Sequence, residues 1–254
     1  MGDDLRITAQ LIDVKNDEHL WSEDYDRKFE NVFLVQRDIA TKVAESLSVN
    51  LLGSEKKAVE RNPTNNLAAY ALYLKGLSYV HGTDHDSGRT AISYFEQALT
   101  KDPNFAEAHA GIAATYSLLA FFELISTKEA LEKAETHARQ ALQINDNVAE
   151  AHVSLGSVKL LQDLDPRGAE VEYQQAIELS PSLAIAHLDY AWLSLFLGEF
   201  ERSKIQIKLG ISLDPLSADT LAWGGALYLY SRNYDDAIET LRSSLELEPK
   251  LRSP

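Results

Sequence analysis

From about Tyr70 to the C-terminus, one arrangement of apolar and polar positions recurs five times. Each copy has an apolar first helix with a small residue near its middle and an aromatic or apolar residue three positions on. An Ala-rich second helix follows, and an Asp-Pro or similar turn ends the unit. The ends fall at Pro103, Asp146, Pro181, Pro215 and Pro249, at intervals of 43, 35, 34 and 34 residues. Upstream the period changes. Leu5, Ile7, Ala9 and Leu11 alternate with Arg6, Thr8 and Gln10, the pattern of a half-buried strand. With a polar turn at Lys15–Glu18 and a second extended segment carrying Trp21 and Tyr25 on one face, residues 5–27 read as a β-hairpin. A helix is then expected from Asn31, its N-cap. Val32, Val35, Ile39, Val43 and Leu47 form its apolar stripe, and Gly53 ends it.

The repeats can be aligned position by position. Gly76, Ala113, Gly156, Ala191 and Gly225 stand where the two helices of a unit approach closely, so a larger side chain would wedge them apart. Ala91, Ala134, Ala169, Ser203 and Ala237 answer from the second helix. Departures are mild: Lys159 stands at a Tyr position, and Gly210 replaces Ala at about 1 kcal/mol of helix propensity. Extra residues sit in HGTDHDSG and around FELISTKEA. A period near 34 with this pattern resembles the tetratricopeptide repeat. The resemblance implies a mainly α fold, a right-handed superhelix of helix pairs with a small N-terminal β-hairpin plus helix. The expected organisation is residues 1–52 for the hairpin and helix, 53–68 for a linker, and 69–254 for five repeats, at about 69–103, 104–146, 147–181, 182–215 and 216–249.

The first 52 residues carry a second resemblance. Arg6–Asp13 (RITAQLID), His19–Arg27 (HLWSEDYDR) and the F-x-x-Q-x-x-I-A helix at Phe33–Ala40 are similar, in this order, to the end of the TolB-like module preceding tetratricopeptide repeats in bacterial multidomain proteins. Members of that family are often fused to class III adenylate cyclase, winged-helix or kinase domains. The resemblance implies the sensory or scaffolding part of such a protein, and a hairpin starting almost at residue 1 suggests a piece of a longer chain. A lone hairpin leaves both edges unpaired, so it is expected to pack on the helix, on the solenoid or on another copy.

Composition narrows the function. A net charge of −15 works against nucleic acid, whose binding rests on Lys and Arg. Without cysteine there is no disulfide, thiolate metal site or Cys nucleophile. No apolar run is long enough to span a bilayer, and MGDDLRIT is neither a signal peptide nor a myristoylation site. A cytoplasmic location is expected.

No catalytic constellation is present: no G-x-S-x-G elbow, P-loop, H-E-x-x-H or Gly-rich dinucleotide loop. No cofactor is expected, and no enzymatic activity in these residues. His109, His152 and His187 share one repeat position and thus lie on three helices. Packed helices sit about 8–10 Å apart, too far for all three to share a metal held at about 2 Å. His81, Asp84, His85 and Asp86 read as a solvated loop, so no metal site is expected.

The concave wall is the remaining candidate. The repeat pattern places Tyr73, Leu77, Val80, Val153, Leu160, Leu188, Trp192, Leu195, Phe196, Leu229 and Tyr230 on it, with Trp223 beside them. The Lys, Arg and Asn of the carboxylate clamp that grips acidic chaperone peptides are absent. Such an apolar and aromatic groove suits an apolar or amphipathic peptide of a protein partner, unless the N-terminal helix or a neighbouring copy fills it. The alternative is a self-assembly and signal-coupling region of a cyclase or transcriptional regulator, dimerising through the hairpin edge or the last repeat. There the apolar face of Leu227, Leu241 and Leu245 is expected to be partly exposed. Neither nucleic acid nor membrane insertion is expected.

Overall fold

The computed structural model describes residues 4–13, 18–28, 32–46, 62–80 and 85–247. Its contacts divide the chain into two units, Met1–Leu67 and Ala68–Pro254. The expected Asn31 cap, Leu47, Gly53, most of the 53–68 linker, His81, Asp84 and Pro249 lie outside the described residues, as does most of the Lys15–Glu18 turn.

In the first unit, β1 (Asp4–Asp13) and β2 (Glu18–Lys28) form an antiparallel hairpin, followed by α1 (Val32–Ser46). Alternation puts Ile7, Ala9, Leu11, Trp21, Glu23 and Tyr25 on one face, while Arg6, Thr8, Gln10, Ser22, Asp24 and Asp26 are exposed. The register shifts between Leu11, opposite Trp21, and Ile12, opposite His19. The covered face packs on α1. Tyr25 and Val35 are buried, and the Tyr25 hydroxyl donates to Asp38 at 2.7 Å. Lys42 of α1 pairs with Glu23 and Asp38 and lies over the Trp21 and Tyr25 rings. The hairpin therefore gains from its helix what an isolated hairpin lacks.

The second unit is a succession of antiparallel helix pairs. These are α2 (Leu67–Val80) with α3 (His85–Lys101), α4 (Ala106–Phe121) with α5 (Thr127–Ile144), and α6 (Ala149–Leu161) with α7 (Pro166–Leu179). Then come α8 (Ala184–Phe196) with α9 (Phe200–Leu213) and α10 (Ala218–Tyr230) with α11 (Tyr234–Leu247). Successive first helices α4, α6, α8 and α10 pack side by side, which builds a continuous wall.

Close approach within each pair depends on the small residues. A Cβ added at Gly156 would stand 2.5 Å from Cε1 of Tyr173, a ring that is 1% exposed. Tyr173 in turn packs with Val153, Leu160, Tyr190 and Leu193, so the core of the third pair extends into the first helix of the fourth. No pair closes its own core, the reason such arrays stack.

The turn inside each pair also repeats. Glu123, Leu164, Gly198 and Arg232, just past the ends of α4, α6, α8 and α10, all have left-handed φ, between 52° and 76°. Backbone bonds such as Glu199 N to Ser194 O and Asn233 N to Tyr228 O then cap the orphan carbonyls. Asp165 begins α7 by accepting from the Gly168 N–H at 2.9 Å, with Pro166 in the first turn.

One expectation needs correcting. Leu227 is fully buried, not exposed: it faces back onto Leu188, Ala191 and Ile207 of the fourth pair. Leu241 and Leu245 are partly buried, and the exposed apolar residues of the last pair are Leu229, Tyr230, Tyr234, Ile238 and Leu247.

Candidate functional site: the concave wall

The first helices bring four aromatic rings into one cluster. Trp192 of α8 lies 5.9 Å from Trp223 of α10 and 5.5 Å from Tyr230 of the same helix, between ring centroids. Phe121, at the end of α4, stands nearly perpendicular to both indoles, 5.9 Å from Trp192 and 5.1 Å from Trp223. A residue of the second pair thus touches the fourth and fifth. Phe122 meets Phe121 edge-on at 5.3 Å. Tilted and edge-to-face pairs at these distances each add about 0.5–1.5 kcal/mol beyond area burial.

A carboxylate sits against this cluster. The Trp223 indole N–H donates to Asp189 Oδ1 at 3.2 Å. Burial pushes the Asp189 carboxyl up to about 7, and the indole bond only partly offsets it.

The remaining expected wall residues divide. Phe196, Leu229 and Tyr230 are exposed, while Leu195 is partly buried beside Trp192 and Trp223. Tyr73, Leu77 and Val80 lie at the other end, packed against the Phe95–Ile112 core. Tyr73 is 5.0 Å from the Phe105 ring, and its hydroxyl is pushed up by burial and then by the Glu150 and Glu107 carboxylates. Val153, Leu160 and Leu188 are buried within the interhelical core and offer almost no surface to a ligand. For Leu188 the cause is Gly210. Lacking a Cβ, Gly210 lets α9 settle directly over it, and an added Cβ would stand 2.8 Å from Leu188 Cδ2.

Two members of the site were not picked out from the sequence. Phe121 falls where the second repeat carries its extra residues, outside the aligned positions, and its only signal was the Phe-Phe pair ending an apolar helix. Asp189 was visible as the only acid in AIAHLDYAWLSLF.

The three aligned histidines each bond to the second helix of their own pair. His109 Nδ1 is 3.0 Å from His137 Nδ1, His152 Nδ1 is 2.7 Å from Glu172, and His187 Nδ1 is 2.7 Å from Gln206. His187 Nε2 also meets the Pro181 carbonyl at 3.0 Å. These are packing links within pairs. Burial holds both rings of the His109–His137 pair below the usual imidazole range, His137 to about 4, with His109 adding to the effect on His137. Among the described residues, no three His, Cys, Asp or Glu side chains are grouped to hold a metal. No described helix is long and apolar enough to cross a membrane.

The stacked helix pairs have a counterpart among solved structures. A tetratricopeptide-repeat protein of Thermus thermophilus superposes with a TM-score of 0.57 at 18% identity, over 72% of this chain and 93% of its own. The chain folds as a tetratricopeptide-repeat solenoid. No family model matches the sequence.

Two bacterial relatives resemble it in sequence. A Rhizobium meliloti protein named as an adenylate cyclase is 28% identical over 156 residues, 59% of this chain and 26% of that protein. The transcriptional regulator HilA of Salmonella typhimurium is 24% identical over 244 residues, 93% of this chain and 42% of the regulator. The tetratricopeptide-repeat chain thus matches about a quarter of one relative and two fifths of the other.

Proposed function

We propose that the solenoid is a non-catalytic, cytoplasmic protein-interaction scaffold that holds an apolar or amphipathic peptide along its concave wall. The observation carrying this reading is the ring cluster of Phe121, Trp192, Trp223 and Tyr230, continued by exposed Phe196 and Leu229. Trp and Tyr dominate binding energy at interfaces. A repeat protein presents such anchors on rigid elements, so little ordering cost falls on the receptor.

The test is capture of a protein by the wild-type chain beside two variants. Trp192→Ala/Trp223→Ala removes both indoles from the cluster. Phe196→Ala/Tyr230→Ala removes two side chains that are each 61% exposed and so leaves the core packing in place. A protein retained by the wild type and lost by both variants, with unchanged helical circular dichroism, supports the groove. Equal capture by all three would refute it.

The relatives favour a second reading, because each is a longer protein named for a cyclase or regulatory activity. On that reading this region couples or assembles a multidomain signalling protein through the hairpin edge or the last pair. Light scattering separates the two: a dimer independent of concentration supports assembly, and a monomer supports partner capture.

A further inference from the structure

The first helices of the pairs carry more acid than base. Glu107, Glu150 and Asp219 occupy the same position, the second residue of α4, α6 and α10. Asp189 adds a carboxylate next to the ring cluster. The five first helices contain only two basic side chains, Lys75 and Lys159, and both are engaged elsewhere. Lys75 lies over the Tyr94 ring, and Lys159 pairs with Asp163 at 3.0 Å. The wall positions named above hold no Lys or Arg, and one carboxylate, Asp189, stands against the Trp223 ring.

The solenoid already satisfies a cation in this way within its own structure. The Arg202 guanidinium lies 5.0 Å from the centre of the Tyr190 ring while bonding Glu170 at 2.7 Å. A guanidinium or ammonium is stabilised over an aromatic face and more so when that face is desolvated. A carboxylate beside the face supplies the second half of the interaction.

Resting on the groove reading above, we propose that the bound peptide is basic and amphipathic. Its apolar side chains pack against Phe196, Leu229 and Tyr230, and an Arg or Lys sits against the Trp192–Trp223 rings and Asp189. Glu107, Glu150 and Asp219, in the first turns of α4, α6 and α10, add negative charge that attracts further basic residues. The net charge of −15 extends the same attraction to longer range. An acidic peptide would meet like charge at each of these positions.

The experiment selects a random peptide display library against the full chain, with depletion on the Trp192→Ala/Trp223→Ala variant. The enriched peptides are then synthesised and titrated. Enrichment in Arg and Lys beside Leu or aromatic residues is expected. Affinity should fall several-fold between about 50 and 300 mM salt, and at least about fivefold in Asp189→Asn. Uncharged apolar peptides that bind independently of salt and of Asp189 would leave the groove reading standing and overturn the basic-peptide inference. Enriched acidic peptides would do the same. No enrichment over the tryptophan variant would overturn both.

Discussion

Asp189→Asn should make the protein more stable, and increasingly so as pH rises. The carboxyl is held up to about 7 in the fold by burial, against an ordinary value near 3.9 in the unfolded chain. Between these values the folded state binds the proton more tightly, so stability falls as pH climbs from about 4 to about 7. Three pH units would correspond to roughly 4 kcal/mol. The side chain keeps some surface and its indole hydrogen bond, so a smaller cost of about 1–2 kcal/mol is expected. Asn keeps an oxygen for the Trp223 N–H and carries no charge. The variant should therefore match the wild type near pH 4 and exceed it by about 1–2 kcal/mol near pH 8. The His109–His137 pair acts with the opposite sign. Its depressed values lend stability that is lost as pH falls below about 6.5 toward 4. The wild-type curve sums both effects, and only the difference between variant and wild type isolates Asp189. Urea titrations followed by circular dichroism across about pH 4.5–8.5 measure it. A difference that is constant with pH, or a variant less stable at high pH, would refute the assignment of a partly buried, desolvated carboxylate.

Gly156→Ala drives a methyl into the buried Tyr173 ring. Overpacking of about 1–3 kcal/mol exceeds the roughly 1 kcal/mol gain in helix propensity, so Tm should drop by a few degrees in a thermal scan; an unchanged Tm would mean that the ring yields. Leu164→Gly relieves a left-handed φ of 52° on a side chain that is 74% exposed, and should raise stability by up to about 1 kcal/mol in urea; a loss would contradict the strain. Arg202→Ala cuts the link that joins Glu170, Tyr190 and Ser194 across the third and fourth pairs. About 1–3 kcal/mol should be lost, and a double-mutant cycle with Glu170→Gln should show positive coupling; additive effects would mean that the pair acts only through solvent.

The fold class was legible because its causes are local and periodic. Small residues at Gly76, Gly156 and Gly225 allow close helix approach, and strand alternation placed Trp21 and Tyr25 on the face that meets α1. The hairpin register was less legible, because the shift at Leu11/Ile12 skips Leu20, leaving consecutive His19 and Leu20 both exposed. Positional reasoning about the wall failed where a second residue decides accessibility. Leu188 occupies a wall position, but the missing Cβ of Gly210 brings α9 over it, and Val153 is covered by Tyr173. Leu227 was expected at an open end, yet its direction on α10 turns it into the fourth pair. Contacts that skip repeats, such as Phe121 with Trp223, depend on how the whole array curves. No single repeat encodes them.

If a peptide binds at the aromatic wall, the three tryptophans report it directly. Trp192 and Trp223 lie in the cluster, and Trp21 lies in the hairpin. Their indole N–H resonances should be followed by ¹⁵N NMR while a captured or selected peptide is titrated in. Trp192 and Trp223 should shift together, with the Trp223 signal moving most as its Asp189 hydrogen bond is reorganised, while Trp21 stays in place. Saturable binding that moves Trp21 alone, or leaves both cluster indoles unmoved, would contradict it.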